Sequence, residues 1–313
     1  MLGPPRITKS WISGAEVMVH RMYAAKPGPT VLITANVHGD ECVGLGVVFQ
    51  LLSLLPTILS CGQIHLYPSL NPQGLAERTR VHPPSGLDLN RLFPGRRNGN
   101  EAEQHLWAVW QDIVSLKPSA LIDLHTDSQL SIPYALVDRS VKAGSSNQEN
   151  WDFAVSSGLL PVWEYPIKNY IKYNLDRSLS GAIVNKLGVL GVTLELGPRR
   201  VINMSDVRAG LDAVLRMLGY LGMLTRAPDR YSQEKGALQR SKAPVVHKAG
   251  VFVPLSPLGK VLQQGETLGT LYDINGAVLQ QVQMPRKGVV LSYPDYAFLK
   301  PNQACATLAA YPL

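Results

Sequence analysis

The sequence predicts an α/β fold, a mixed and mostly parallel sheet with helices on both faces, joined to a small C-terminal all-β domain. Three observations carry this. Up to about Leu224, apolar runs of strand length alternate with segments of helical period, the pattern of βαβ units. The first of those runs is apolar throughout rather than alternating, as in a strand covered on both faces. From Ala249 onward the chain changes to short runs punctuated by Gly and Pro, too closely spaced to hold helices between them.

Taken in order, TVLITANV (30–37) is the first buried strand. Residues 41–55 read as a mostly apolar helix. The longest apolar run, 42–58, is interrupted by Gly44, Gly46, Gln50, Ser53 and Pro56, so it predicts a buried helix rather than a membrane span. QIHLYPSLN (63–71) is a second strand. Asn100 caps a helix in which Leu106, Val109, Trp110, Ile113 and Leu116 share one face, with Glu101 and Glu103 in the first turn where they suit the helix dipole. ALIDLHT (120–126) is a third strand. SLSGAIVNKLG (178–188) forms a helix ending at Gly188, and GVTLELG (191–197) a further strand. Ser205 then caps a helix carrying Val207, Leu211, Val214, Leu215 and Leu218.

Residues 225–248 are polar and lack a sustained period. The expected division is therefore 1–228 for the α/β domain, 229–248 for a linker and 249–313 for a β-sandwich-like module. GKVLQQGETLGTLYD and GAVLQQVQMPRKGVVL resemble the halves of biotinyl/lipoyl-type sandwiches. The turn between them, DINGA, has no lysine to modify, and Lys287 lies in the other turn, PRKG. The module is expected to be structural, capping a cleft or supporting a homo-oligomer.

Composition excludes several classes. Of 313 residues, 45% are hydrophobic and 17% charged, which rules out a disordered chain. The net charge of +7 favours anionic small partners. The basic residues stand singly or in pairs, such as Arg96 with Arg97 and Arg199 with Arg200, and no basic stripe with interleaved aromatics predicts nucleic-acid binding. The N-terminus has no apolar leader core, and no membrane partner is expected. Cys42, Cys61 and Cys305 form an odd, scattered set, which predicts free thiols and a reducing, cytoplasmic compartment.

The informative feature is where the unusual polar residues fall. His38, Asp40 and Glu41 follow the 30–37 strand, His125 and Asp127 end the 120–126 strand, and Glu195 lies near the end of the 191–197 strand. Open α/β sheets bind ligands outside the carboxyl ends of their strands, so these ends can converge on one cleft. His38 and Glu41, three residues apart across a strand-to-helix turn, can face one ion, and His125 completes a His–Glu–His set. Two imidazoles and a carboxylate suit one Zn²⁺ and leave a fourth position for water, with Glu195 free to act as a base. Taken singly, these residues also fit a capping turn and a buried histidine. Asn90 and Arg91, in the Gly/Pro-bounded loop GLDLNRLFPG, can hold a carboxylate. Arg78 and Arg80 can polarise a carbonyl, or lie on a solvated loop.

In order along the chain, NVHGDE, NPQG, RVHPPSGLDLNRLFPG, LIDLHTD and VTLELG resemble the succinylglutamate desuccinylase/aspartoacylase family, a branch of the zinc carboxypeptidase superfamily. Residues 249–308 also resemble the β-module that closes many members. The resemblance implies a zinc-carboxypeptidase-like fold, with His38, Glu41 and His125 as ligands of one Zn²⁺. It implies that Glu195 is the general base and later proton donor. Asn90 and Arg91 would grip the substrate carboxylate, and Arg80 would polarise the scissile carbonyl. Where members often continue with further glycines, this chain reads Gly197-Pro198-Arg199-Arg200, and the two arginines either meet an anionic substrate or lie on the surface. The expected activity is zinc-dependent removal of an N-acyl group from an N-acylated amino acid or a related carboxylate-bearing small molecule. The alternatives are a metallocarboxypeptidase acting on peptides and a non-catalytic binding or scaffold protein. Residues 165–177 are expected to contribute to specificity.

Overall fold

Strand Ala120–His125 is buried along its whole length, because it has a strand on each side and helices above and below. Lys26–Ala35 and Leu190–Leu196 flank it, both parallel to it, and Cys61–Tyr67 extends the parallel run beyond Lys26–Ala35. Side chains alternate between the two faces, as the period of a strand requires. Val31, Ile33, Ala35, Ile122 and Leu124 join one apolar cluster, whereas Leu32 and Leu121 join the other. Helices Val43–Ile58, Gln148–Ser156 and Met204–Tyr220 contribute to the first cluster, and Glu101–Ser115 with Leu179–Ala182 to the second. A fully buried Leu or Ile contributes roughly 1.5–3 kcal/mol, so both faces hold the central strands in place.

The computed structural model describes residues 5–141, 147–226 and 237–312. Among them the main sheet has thirteen strands and a second sheet has four. Arg6–Trp11 and Met18–Tyr23 form an antiparallel edge beside Cys61–Tyr67. On the other side Pro133–Val137 runs antiparallel to Leu190–Leu196 and parallel to Leu160–Trp163. The sheet is therefore mixed with a parallel centre, and helices cover both faces. The four-stranded sheet is antiparallel and consists of Val278–Gln283, Thr267–Tyr272, Gly250–Pro254 and Phe298–Leu299.

Several local expectations meet their outcome here. Asn100 makes the full capping box with Glu103, each side chain bonded to the other's backbone N–H. Gly188, at φ +68°, ends the helical segment that begins at Leu179. The cap of the last long helix differs: Asn203, not Ser205, is the N-cap, and its side chain accepts from the Ser205 N–H at 3.0 Å. Asparagine is at least as good an acceptor there as serine, and it lies one residue before the first helical position.

The expected linker also differs from what is observed. Its first part, 229–236, lies outside the described residues. Within the remainder, Leu238–Ser241 is a strand, parallel to Leu160–Trp163 and antiparallel to Thr307–Ala310. Through it, Thr307–Ala310, Gly288–Tyr293 and Val261–Leu262 continue the main sheet. Its partners come from distant parts of the chain, and four residues are too few to show a period.

Candidate active site

The site begins where the 26–35 strand ends. Asn36 takes the left-handed conformation, φ +55°, which asparagine tolerates better than most residues. Its side-chain amide donates to the carbonyls of His38, Gly39 and Glu41 at 2.9, 3.1 and 2.9 Å. One buried amide thus shapes the whole turn. Gly39 lies against the backbone of Gly74, where a Cβ would come within 2.0 Å of the Gly74 carbonyl carbon. Only glycine fits, and His38 and Glu41 are carried inward on either side of it.

Glu41 is the hub. Its Oε1 lies 2.8 Å from His38 Nδ1 and its Oε2 2.9 Å from His125 Nδ1. The Thr126 N–H donates to Oε2 at 3.0 Å, and Arg80 donates to Oε1 at 3.1 Å. The far nitrogen of each imidazole meets another carboxylate: His38 Nε2 is 3.1 Å from Asp88, and His125 Nε2 is 2.9 Å from Asp123. Each imidazole thus stands between two carboxylates, and ionised carboxylates only accept, so a nitrogen facing one carries either a proton or, in its place, a metal ion. His38, Glu41 and His125 offer ligand atoms that all lie within 4.8 Å of one another, so the set fits a metal ion. Without one, burial works against a charged His125, yet Asp123 and Glu41 outweigh it and raise its pKa.

Strand register places Glu195 directly beside His125. Its Oε2 is buried and has no hydrogen-bond partner. Burial pushes its carboxyl up to about 8, with His125 opposing the rise and Glu41 and Asp127 reinforcing it. Asn90 is buried, and its carbonyl accepts from the Leu179 N–H at 2.8 Å, leaving its amide nitrogen as a donor. Arg91 donates to the Asn90 backbone carbonyl at 2.7 Å. Among the described residues it has no carboxylate partner.

The seven residues to which the family resemblance gives a role, His38, Glu41, Arg80, Asn90, Arg91, His125 and Glu195, line one cavity of about 130 Å³. Arg78 does not; it is the left-handed C-cap of helix Pro72–Glu77. Of the two arginines after Gly197, Arg199 lines the cavity and Arg200 is exposed. Arg199 is held by the Asp127 carbonyl and by Asp40 and Asp295 at 3.7 and 3.4 Å. Asp295 belongs to the C-terminal stretch and also accepts from the Gln129 N–H at 2.8 Å, so that stretch buttresses the rim.

Sequence reasoning missed other lining residues. Asp138, Glu164 and Arg240 share the same cavity. Arg240 pairs with Glu164 at 3.0 Å and lies over the Tyr165 ring. Asp123 could have been found, since it precedes His125 by two positions and so shares its face of the strand. Arg240 had no such signal, because its stretch reads as surface.

The carboxyl ends of the parallel strands thus bring together a His–Glu–His group that could hold a metal ion and a neighbouring carboxylate without a hydrogen-bond partner on one oxygen. A sequence profile for the succinylglutamate desuccinylase/aspartoacylase catalytic domain matches residues 27–221; the chain belongs to this family of deacylases. It is similar to the N-alpha-acetyl-L-2,4-diaminobutyric acid deacetylase of Halomonas elongata, with 24% identity over 290 residues, covering 90% of this chain and 82% of that protein. An aspartoacylase family protein from Mesorhizobium loti has a similar structure, with TM-score 0.80, 19% identity and 99% of both chains covered. So does the product-bound ectoine utilization protein of Ruegeria pomeroyi, with TM-score 0.78, 18% identity, and 99% of this chain and 95% of that one covered. Among the described residues, no helix is long and apolar enough to cross a membrane.

Proposed function

We propose that the chain is a zinc-dependent amidohydrolase that removes an N-acyl group from a small amino compound bearing a carboxylate. The observation that carries this reading is the placement of Glu195. Its unpartnered oxygen lies beside His125 on the wall of the cavity that also holds His38, Glu41 and Arg91. Two imidazoles and one carboxylate are the donor set of catalytic zinc sites with an open position. Bound there by His38, Glu41 and His125, zinc would supply Lewis acidity and a water of lowered pKa.

The chain's own residues would do the rest. Arg91 and Asn90 hold the substrate carboxylate and so fix the amide in the cavity. Arg80 donates toward the carbonyl oxygen as charge develops on it. Glu195 accepts a proton from the attacking water as the new C–O bond forms. It then gives that proton to the amine nitrogen as the C–N bond breaks. The burial that raises the Glu195 carboxyl makes it, once ionised, a stronger proton acceptor than an exposed carboxylate. The products are a carboxylic acid and a free amine.

A cavity of about 130 Å³ suits a small molecule better than a peptide, which favours the deacylase over the carboxypeptidase. The test is metal analysis of the purified protein, followed by assays with N-acetyl, N-succinyl and N-formyl amino acids. Release of free amine from one of them supports the reading. Peptide cleavage without any deacylation would replace it with the carboxypeptidase alternative.

A further inference from the structure

Beyond the reacting centre, the cavity wall carries charged groups that the proposed hydrolysis does not use. Strands Pro133–Val137 and Leu160–Trp163 run parallel with Val137 opposite Trp163, and the Glu164 N–H donates to the Val137 carbonyl at 3.0 Å. The next residue on each strand is acidic, so Asp138 and Glu164 leave neighbouring strand ends together. Both line the cavity, and they are only 3% and 5% exposed.

Their partners leave acidic charge uncompensated. Glu164 accepts from Arg240 at 3.0 Å and from the Tyr165 N–H at 3.1 Å. Asp138 accepts from the Tyr170 hydroxyl at 2.6 Å. Among the described residues Glu164 has Arg240 as its ion-pair partner and Arg91 as a more distant attraction, whereas Asp138 has no ion-pair partner. Burial, and after it the neighbouring Glu164, push the Asp138 carboxyl up to about 7, against the Tyr170 and Ser180 hydrogen bonds; the Glu164 part is a like-charge repulsion that a cation between the two would relieve.

The arginines of the cavity point the same way. Arg80 pairs with Glu41 and Asp88, Arg199 with Asp40 and Asp295, and Arg240 with Glu164. Among the described residues, Arg91 alone of these four has no carboxylate partner. The cavity thus presents one free cation for one carboxylate and an acidic pair for a cation.

We propose that Asp138 and Glu164 form a subsite for an ammonium group on the amine half of the substrate. The chain would then take N-acyl diamino acids, with the carboxylate on Arg91 and the second amine on the acidic pair. This rests on the deacylase reading. Either amine of such a compound can carry the acyl group, and the two isomers share the recognised chemistry.

The test is calorimetric titration of the metal-loaded protein with free L-2,4-diaminobutyrate, L-2-aminobutyrate and L-aspartate. Diaminobutyrate should bind about tenfold or more tightly than aminobutyrate, as a charge-assisted hydrogen bond implies, with aspartate weakest. Asp138→Asn and Glu164→Gln should each abolish that preference. Glu164→Gln also unpairs Arg240; Asp138→Asn is nearly isosteric and keeps an acceptor for Tyr170. Equal binding of the first two ligands, no binding of diaminobutyrate, or a preference that survives both substitutions overturns the subsite. Parallel assays use both mono-N-acetyl isomers of diaminobutyrate and N-acetyl-2-aminobutyrate. Hydrolysis with equal kcat/KM for the aminobutyrate and diaminobutyrate compounds overturns the subsite and leaves the deacylase reading standing. A binding preference for diaminobutyrate with no acyl release from these compounds or from the N-succinyl and N-formyl amino acids supports the subsite and defeats that reading.

Discussion

His125 Nε2 lies 2.9 Å from Asp123 Oδ2, between two buried side chains on the same face of one strand. The contact fixes the ring so that Nδ1 faces Glu41, 2.9 Å away. Carboxylates in this position orient imidazole ligands and raise their basicity, and their loss typically costs roughly 10–100-fold in metal affinity. Asp123→Asn should therefore bind zinc about 10–100-fold more weakly while keeping its fold. Competition with a chelator of known affinity measures this, and wild-type affinity would remove Asp123 from the account.

Glu195→Gln separates metal binding from proton transfer. Glu195 lies beside the His–Glu–His set without belonging to it. The variant should keep its zinc and lose about 10²–10⁴-fold in kcat, the usual range for a proton-transfer group. Full activity in this variant is incompatible with Glu195 acting as the base.

Gly39 should tolerate no side chain. An added Cβ would meet the Gly74 carbonyl carbon and oxygen at 2.0 and 2.4 Å, and neither backbone can yield without moving the turn that carries His38 and Glu41. Gly39→Ala is expected to lower metal content and to destabilise the fold by about 1–3 kcal/mol, the range for overpacking. Metal analysis with thermal unfolding checks both; an unchanged variant would show that the turn adapts.

Asp138 gives a pH signature in stability. Its folded carboxyl titrates at about 7, above the ordinary value near 4. Between those values the folded state keeps a proton that the unfolded state releases. The favourable contribution is therefore full below about pH 4 and is lost as pH rises through about 7. One such group adds a downward slope approaching about 1.4 kcal/mol per pH unit. Asp138→Asn should flatten the wild-type curve in that window. Urea unfolding between the two limits tests this, and parallel curves for the two proteins would contradict it.

The central part of the site is legible in the sequence because its strands are continuous apolar runs followed directly by polar residues. The ends at His38, His125 and Glu195 read as neighbours from residue order alone, since a parallel α/β sheet brings its carboxyl ends to one side. The acidic pair and Arg240 are not legible. Pro133–Val137 and Leu160–Trp163 are only five and four residues long, too short for a period to stand out. Arg240 lies in a stretch whose polarity reads as solvated surface, and its burial comes from pairing with segments around Val162 and Ala309. The helix cap at Asn203 rather than Ser205 is a smaller case: two capping residues stand within three positions, and only the backbone chooses between them.

The most direct test of the account is the zinc content of the purified wild-type chain beside His38→Ala and His125→Ala, measured by elemental mass spectrometry. One zinc per wild-type chain, lost in both variants, is the expected result. Retention of a full equivalent in either variant, or full acyl release by a metal-free wild type, would contradict the account at its root.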